Sequence, residues 1–92
     1  MKKAVFAQGA PAAIGPYSHG VAIGDLFFTS GQIALVPETG KLVDGGIQEQ
    51  TEQVLRNLEM VLSANGMTFA NVVKTTVFIT DLADFAEINR IY

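Results

Sequence analysis

The stretch Leu26-Phe27-Phe28-Thr29-Ser30-Gly31-Gln32-Ile33 begins as an apolar strand and then turns small and polar. Gly31 allows another backbone or a ligand to approach the main chain closely, and Ser30 offers a hydroxyl on a short side chain. Taken alone, these residues support two interpretations. One is a β-bulge or bend at the end of the strand. The other is a pocket floor with a backbone N–H and a hydroxyl directed at a ligand.

The chain before this stretch predicts a β-hairpin. Residues 20–23 are strand-like, and Gly24-Asp25 separates them from the strand that starts at Leu26. A two-residue turn requires positive φ angles, which residues of this type tolerate. Residues 2–6 predict an edge strand. His19 is a lone histidine without a second metal ligand nearby, and it is interpreted as an exposed residue at a strand end.

The loop over residues 8–18 is rich in alanine, glycine and proline. Pro16 fixes its own φ and favours an extended residue before it, so Tyr17 is presented from a stiff segment. Tyr17 is either a packing anchor or a ligand contact.

Two amphipathic helices are predicted after the hairpin. The first follows Asp44, a candidate N-cap, and ends at Asn65-Gly66. Its apolar face comprises Ile47, Val54, Leu58, Val61 and Leu62. The second begins at Asp81 and carries Asn89 within an apolar stripe. A buried carboxamide must be hydrogen-bonded, so Asn89 either ties the helix to a loop or contacts a ligand.

Residues 71–80 (NVVKTTVFIT) are dense in β-branched side chains and alternate in character, which predicts a strand. The order β, β-hairpin, α, β, α predicts an α+β sandwich of one sheet with two helices on one face.

Composition narrows the classes of function. Ninety-two residues allow a single domain. A net charge of −3 without a basic run disfavours nucleic-acid binding through phosphate contacts. The absence of cysteine excludes disulfides and thiolate chemistry. The apolar fraction of 49% with only 16% charged residues suggests apolar surface reserved for partner subunits or for further polypeptide chain. No signal peptide or membrane span is apparent, so a cytoplasmic location is expected.

The residues alone reveal no catalytic triad, phosphate-binding glycine loop, metal-ligand cluster or deaminase zinc motif. Five segments in register carry a family resemblance instead. They are residues 10–20 (APAAIGPYSHG), 28–33 (FTSGQI), 37–40 (PETG), 50–58 (QTEQVLRNL) and 73–82 (VKTTVFITDL). From these motifs the chain is identified as a member of the Rid family (RidA/YjgF), also called the liver perchloric-acid-soluble protein family.

The resemblance implies a fold similar to chorismate mutase: a sandwich of one mixed β-sheet with two α-helices on one face, assembled as a homotrimer with interface pockets. It implies an enamine/imine deaminase that hydrolyses 2-iminobutanoate, 2-iminopropanoate or 2-aminoacrylate to 2-keto acids and ammonia. The expected partner is thus a small 2-imino or 2-keto acid. No cofactor, metal, membrane or nucleic acid is expected.

The resemblance also assigns roles to individual residues. Tyr17, Ser30, Gly31 and Asn89 match the substrate-binding positions of the family. The family's carboxylate-binding arginine and its water-activating glutamate lie on strands that would follow Tyr92, so no catalytic residue is identified in this chain. Residues 1–92 are accordingly expected to form a single Rid-like domain that is incomplete at its C-terminus. Two alternatives stay open: a non-catalytic ligand-binding or regulatory trimer, and an endoribonuclease-type translation inhibitor.

Overall fold

The computed structural model describes residues 2–13, 15 and 17–92, in which one antiparallel sheet is accompanied by two α-helices. The strands are β1 (Lys2–Val5), β2 (Gly20–Ile23) and β3 (Leu26–Thr29), and the helices are α1 (Ile47–Ala64) and α2 (Phe85–Ile91). Within these ranges, no helix has the length and apolar character needed to cross a bilayer. The arrangement confirms the predicted α+β class.

The hairpin forms as predicted. Gly24 adopts a φ of 56° between β2 and β3, and the register places Val21 opposite Phe28. β1 pairs with β2 on its other side, also antiparallel. The three described strands are thus all antiparallel, whereas the resemblance implied a mixed sheet. A parallel pair would require a strand beyond these three.

The two faces of the sheet differ. On the inner face, Phe27 packs against a small core formed by Ala7, Ala10 and Val61. Gly20 lies beneath the Phe27 ring, and a side chain at this position would collide with the ring. On the outer face, Ile23, Leu26 and Phe28 are 44%, 58% and 61% exposed. The hairpin therefore presents apolar side chains to solvent.

Helix α1 is capped at both ends. The predicted cap at Asp44 is wrong: the N-cap residue is Gly46, whose N–H donates to Glu49 Oε1 over 2.8 Å. The carboxylate of the first turn thus reaches back to the N-cap and replaces a capping side chain. The predicted C-terminal cap is confirmed, since Gly66 has a φ of 70° and the Met67 N–H donates to the Leu62 carbonyl.

The predicted strand over residues 71–80 is wrong. Residues Phe69–Asn71 form a single 3₁₀ turn, and residues 72–79 have no regular secondary structure. Val73 and Phe78 are 97% and 92% exposed. β-Branched composition favours an extended backbone, but a strand also requires a hydrogen-bonded neighbour. Among the described residues, no other segment pairs with this one.

The second helical region begins at Asp81 as predicted, but the predicted apolar stripe that carries Asn89 is exposed rather than buried. Asp81 Oδ1 accepts a hydrogen bond from the Ala83 N–H over 2.9 Å, which caps a 3₁₀ turn at Leu82–Asp84. Helix α2 continues from this turn, packs against α1 and buries Ile88.

Candidate functional site

A small cleft of about 70 Å³ opens where the loop before β2 meets the segment after β3. Its walls are Pro11, Tyr17, Gly31, Gln32, Ile33 and Leu35. The structure thus brings together Tyr17 and Gly31, two of the four predicted site residues. The predicted stiffening by Pro16 lies outside the described residues. The volume falls well below the roughly 300–1,000 Å³ of typical ligand pockets, so this cleft by itself suits only a very small ligand.

Ser30 ties the strand end to the loop that carries Tyr17. Its hydroxyl donates to the Ser18 carbonyl over 2.7 Å, and its N–H donates to the His19 carbonyl over 3.0 Å. Because the hydroxyl hydrogen is directed at Ser18, the remaining hydrogen-bonding capacity of this oxygen is its lone pairs. Ser30 can therefore accept a hydrogen bond from a ligand without losing its own contact.

Gly31 presents an open backbone at the cleft. Among the residues that the structure describes, its N–H has no hydrogen-bond acceptor. A Cβ built at this position would meet no atom within 4 Å. The N–H is therefore available to a carboxylate or to a developing oxyanion.

Asn89 does not line the Tyr17 cleft. It lines a groove of about 210 Å³ between α2 and the irregular segment over residues 72–79, together with Thr75, Val77, Ile79, Phe85, Ile88 and Tyr92. Its side chain is exposed, and the Tyr92 hydroxyl donates to Thr75 Oγ1 nearby. Of the four predicted residues, Tyr17 and Gly31 thus line one opening, Asn89 lines another, and Ser30 lies next to the first.

A buried carboxamide pair behind the cleft was missed in the sequence. Asn57 is 1% exposed, and its Nδ2 donates to the carbonyls of Ile33 and Leu35 over 3.1 and 2.9 Å. Gln53 Nε2 donates to Asn57 Oδ1 over 3.0 Å. The available signal was two uncharged carboxamides at i,i+4 on the helical row that ends in Val61.

The prediction of an exposed His19 is wrong. The ring is 4% exposed, accepts or donates hydrogen bonds at both nitrogens, and meets Phe6 edge-on at 6.1 Å between centroids. Its partners are main-chain groups of residues 7 and 11. Hydrogen bonds to main-chain groups cannot be predicted from side-chain identity, so the burial of His19 was not predictable from its sequence position.

The arginines do not contribute to the Tyr17 cleft. Arg90 pairs with Glu87 at the surface, Nη2 to Oε1 at 2.5 Å, and Arg56 is exposed on α1. The hydrogen bond from Arg90 lowers the pKa of the Glu87 carboxyl below its usual value. In the part of the chain that the structure describes, no three His, Asp or Glu side chains converge as metal ligands. The prediction that no cofactor is needed stays a prediction.

Three similar proteins indicate the family to which this chain belongs. Reactive intermediate deaminase A of Arabidopsis thaliana is 48% identical over 91 residues, which are 99% of this chain and 49% of the relative. The 2-iminobutanoate/2-iminopropanoate deaminase of Mus musculus is 47% identical over 92 residues, which are 100% of this chain and 68% of the relative. The crystal structure of Escherichia coli TdcF with bound serine matches with a TM-score of 0.92 at 46% identity, covering 98% of this chain and 70% of that one.

The chain thus spans about half the length of the Arabidopsis relative and about two thirds of the mouse relative. The deaminase names bear out the family activity predicted from the motifs. A family model described as endoribonuclease L-PSP matches residues 7–92. The chain therefore belongs to the endoribonuclease L-PSP family, which is the Rid family that its sequence motifs predicted.

Proposed function

We propose that this chain supplies the substrate-binding half of an enamine/imine deaminase, a hydrolase that converts 2-iminobutanoate, 2-iminopropanoate or 2-aminoacrylate to a 2-keto acid and ammonia. The observation that carries the proposal is that Tyr17 and Gly31 line one cleft, with Ser30 hydrogen-bonded beside it. The names of the Arabidopsis and mouse relatives support the class of substrate.

The chemistry requires a few fixed polar groups. An enamine such as 2-aminoacrylate first tautomerises to its imine. Water then adds to the imine carbon while the C=N electron pair moves to nitrogen. Both protons of the water pass to this nitrogen, and ammonia leaves as the carbonyl forms. The Gly31 N–H donates to an oxygen of the substrate, and the Ser30 lone pairs accept from the nitrogen that becomes ammonia. Imines hydrolyse readily in water, so positioning by such groups is a sufficient mechanism.

The second half of the site comes from another copy of the chain. Asn89 lines a groove separate from the Tyr17 cleft of the same chain, which supports a site that two subunits complete together. The apolar outer face formed by Ile23, Leu26 and Phe28 supports self-association. We propose a homotrimer in which the Tyr17 cleft of one subunit meets the Asn89 groove of the next.

We also propose that residues 1–92 form one Rid-like domain that lacks its C-terminal part. Two observations support this. The relatives extend beyond the matched region, since the chain covers 68% of the mouse protein. In addition, residues 72–78 are exposed, have no regular secondary structure and have no strand partner among the described residues. The carboxylate-binding arginine and the glutamate would lie on the strands that pair here.

The test measures pyruvate and ammonia released from freshly generated 2-aminoacrylate, above the rate without protein. The complete gene product and the 92-residue chain are compared, and activity is expected only from the complete form. Tyr17→Phe and Asn89→Ala should lower the rate in the complete protein. Gln48→Ala, on the exposed side of α1, is the matched control and should leave it unchanged. Full activity in the 92-residue chain would overturn the role assigned to the residues beyond it.

Two alternatives have distinct outcomes in the same preparation. A non-catalytic regulatory trimer would bind 2-oxobutanoate without any turnover of 2-aminoacrylate. An endoribonuclease, the activity in the family's description, would cleave RNA and lose that cleavage in Tyr17→Phe or Asn89→Ala. The net charge of −3 disfavours RNA as a substrate. The predicted cytoplasmic location stays a prediction that cell fractionation tests.

A further inference from the structure

His19 is the buried titratable residue that the proposed reaction does not use. The Ala7 N–H donates to its Nδ1 over 2.8 Å, and its Nε2 lies 2.8 Å from the Pro11 carbonyl oxygen. A backbone N–H can only donate and a carbonyl oxygen can only accept. Nδ1 therefore holds the lone pair and Nε2 carries the proton. The ring is neutral, in one tautomer, with both nitrogens satisfied.

These bonds join the core to the cleft. Ala7 belongs to the core cluster beneath Phe27, while Pro11 is part of the cleft wall. The main chain of His19 reaches the residue directly before Gly31, because its carbonyl accepts from the Ser30 N–H over 3.0 Å. Residue 19 thus contacts both sides of the opening: the loop wall through its ring and the strand-end floor through its backbone.

We infer that His19 is a positioning residue for the cleft, and that its Nε2–H bond to the Pro11 carbonyl sets the distance between the loop wall and the floor at Gly31. The bond from Ala7 to Nδ1 anchors the ring to the core and stabilises the fold. The two ring nitrogens therefore have separable roles. The consequence for ligand binding rests on the proposed function, whereas the consequence for the shape of the cleft does not.

Two substitutions, each of which reproduces one ring nitrogen of His19, separate the roles of Nδ1 and Nε2. The amide nitrogen of glutamine falls near the position of Nε2, so His19→Gln keeps the donor to Pro11 and loses the acceptor for Ala7. The amide oxygen of asparagine falls near the position of Nδ1, so His19→Asn keeps the acceptor for Ala7 and loses the donor to Pro11. Each variant thus loses one buried hydrogen bond and retains the other.

The experiment uses both variants in the complete gene product and makes three measurements. Urea denaturation gives the stability, amide NMR shifts of Tyr17 and Gly31 report the shape of the cleft, and titration with 2-oxobutanoate gives the affinity. We expect both variants to be destabilised. His19→Gln should keep the wild-type shifts and an affinity within about twofold. His19→Asn should move both shifts and weaken binding by roughly five- to tenfold, the effect of one lost hydrogen bond.

The inference fails if the two variants shift the Tyr17 and Gly31 amides equally, or if affinity follows stability alone in both. A purely structural histidine would produce those results. If the wild-type protein does not bind 2-oxobutanoate, the proposed function fails on that point. The amide shifts then still decide whether the Nε2–H bond shapes the cleft.

Discussion

The Gln53 carboxamide donates to Asn57 Oδ1 over 3.0 Å in the buried contact between α1 and the loop after β3. With its oxygen engaged by Gln53, Asn57 directs both N–H groups toward the carbonyls of Ile33 and Leu35. Gln53 thus determines which way the Asn57 amide faces. Because Ile33 and Leu35 line the Tyr17 cleft, the pair attaches the cleft wall to the longest helix.

Replacement of Asn57 by leucine should destabilise the fold by about 2–4 kcal/mol, since it leaves two loop carbonyls and the Gln53 N–H without partners. Urea denaturation measures the change. Gln48→Ala, at an exposed position of the same helix, should stay within about 0.5 kcal/mol of the wild type. A stable Asn57→Leu variant would show that these hydrogen bonds are not needed for the stability of the fold.

A methyl group at Gly20 should also destabilise the fold. Its Cβ would lie 2.6 Å from Phe27 Cε1 and 3.2 Å from the Phe28 carbonyl oxygen. Overpacking of this kind costs about 1–3 kcal/mol, and thermal or urea unfolding of Gly20→Ala measures it. Adding Phe27→Leu to Gly20→Ala should recover part of the loss by removing the ring. Additive losses in the double variant would contradict the proposed collision.

Gly31→Ala separates binding from stability. No atom lies within 4 Å of a Cβ at this position, so the free energy of unfolding should change by less than about 0.5 kcal/mol. The added methyl group would occupy a cleft of only about 70 Å³. We expect affinity for 2-oxobutanoate to fall by roughly tenfold, equivalent to about 1.4 kcal/mol, in an NMR titration of the complete protein. Unchanged affinity would place the ligand elsewhere.

The ion pair between Glu87 and Arg90 predicts a small pH dependence. The hydrogen bond from Arg90 lowers the pKa of Glu87 in the folded state. A carboxyl whose folded pKa is depressed stabilises the fold above its unfolded pKa, and this contribution is lost as pH falls through the folded value. Solvent exposure of the pair keeps the effect small.

NMR titration of the Glu87 carboxyl carbon measures the shift directly. Arg90→Gln should move the midpoint up toward the ordinary value of a glutamate and reduce the loss of stability in acid. An identical midpoint in the variant would mean that the two side chains do not pair in solution.

Local chemistry was sufficient to predict most of the elements. Gly24-Asp25 specifies the hairpin turn, and Asn65-Gly66 specifies the end of α1, because positive φ is required at each glycine. The segment 71–80 shows the limit of such patterns. Its side chains favour an extended backbone, but strand pairing depends on a neighbour that the segment itself does not specify.

The candidate site was less accessible to sequence reasoning. The residues alone left Ser30-Gly31 open between a bulge and a pocket floor, and the family resemblance was needed to favour the pocket. His19 and Asn57 were misjudged or missed for a shared reason. Both bind backbone groups that lie 8 to 24 residues away, and main-chain partners have no signature in side-chain patterns.

The irregular segment over residues 72–79 affects the tendency of the chain to aggregate. Residues 75–80 (TTVFIT) combine β-branched and aromatic side chains with no charge, proline or glycine, and Phe78 is 92% exposed. Windows of this composition stack into cross-β fibrils when they are left uncovered. Lys74, directly before the window, and Asp81, directly after it, supply charges that oppose such stacking. The segment that could pair with another strand is thus also a site of aggregation, with one charged residue at each end to oppose it.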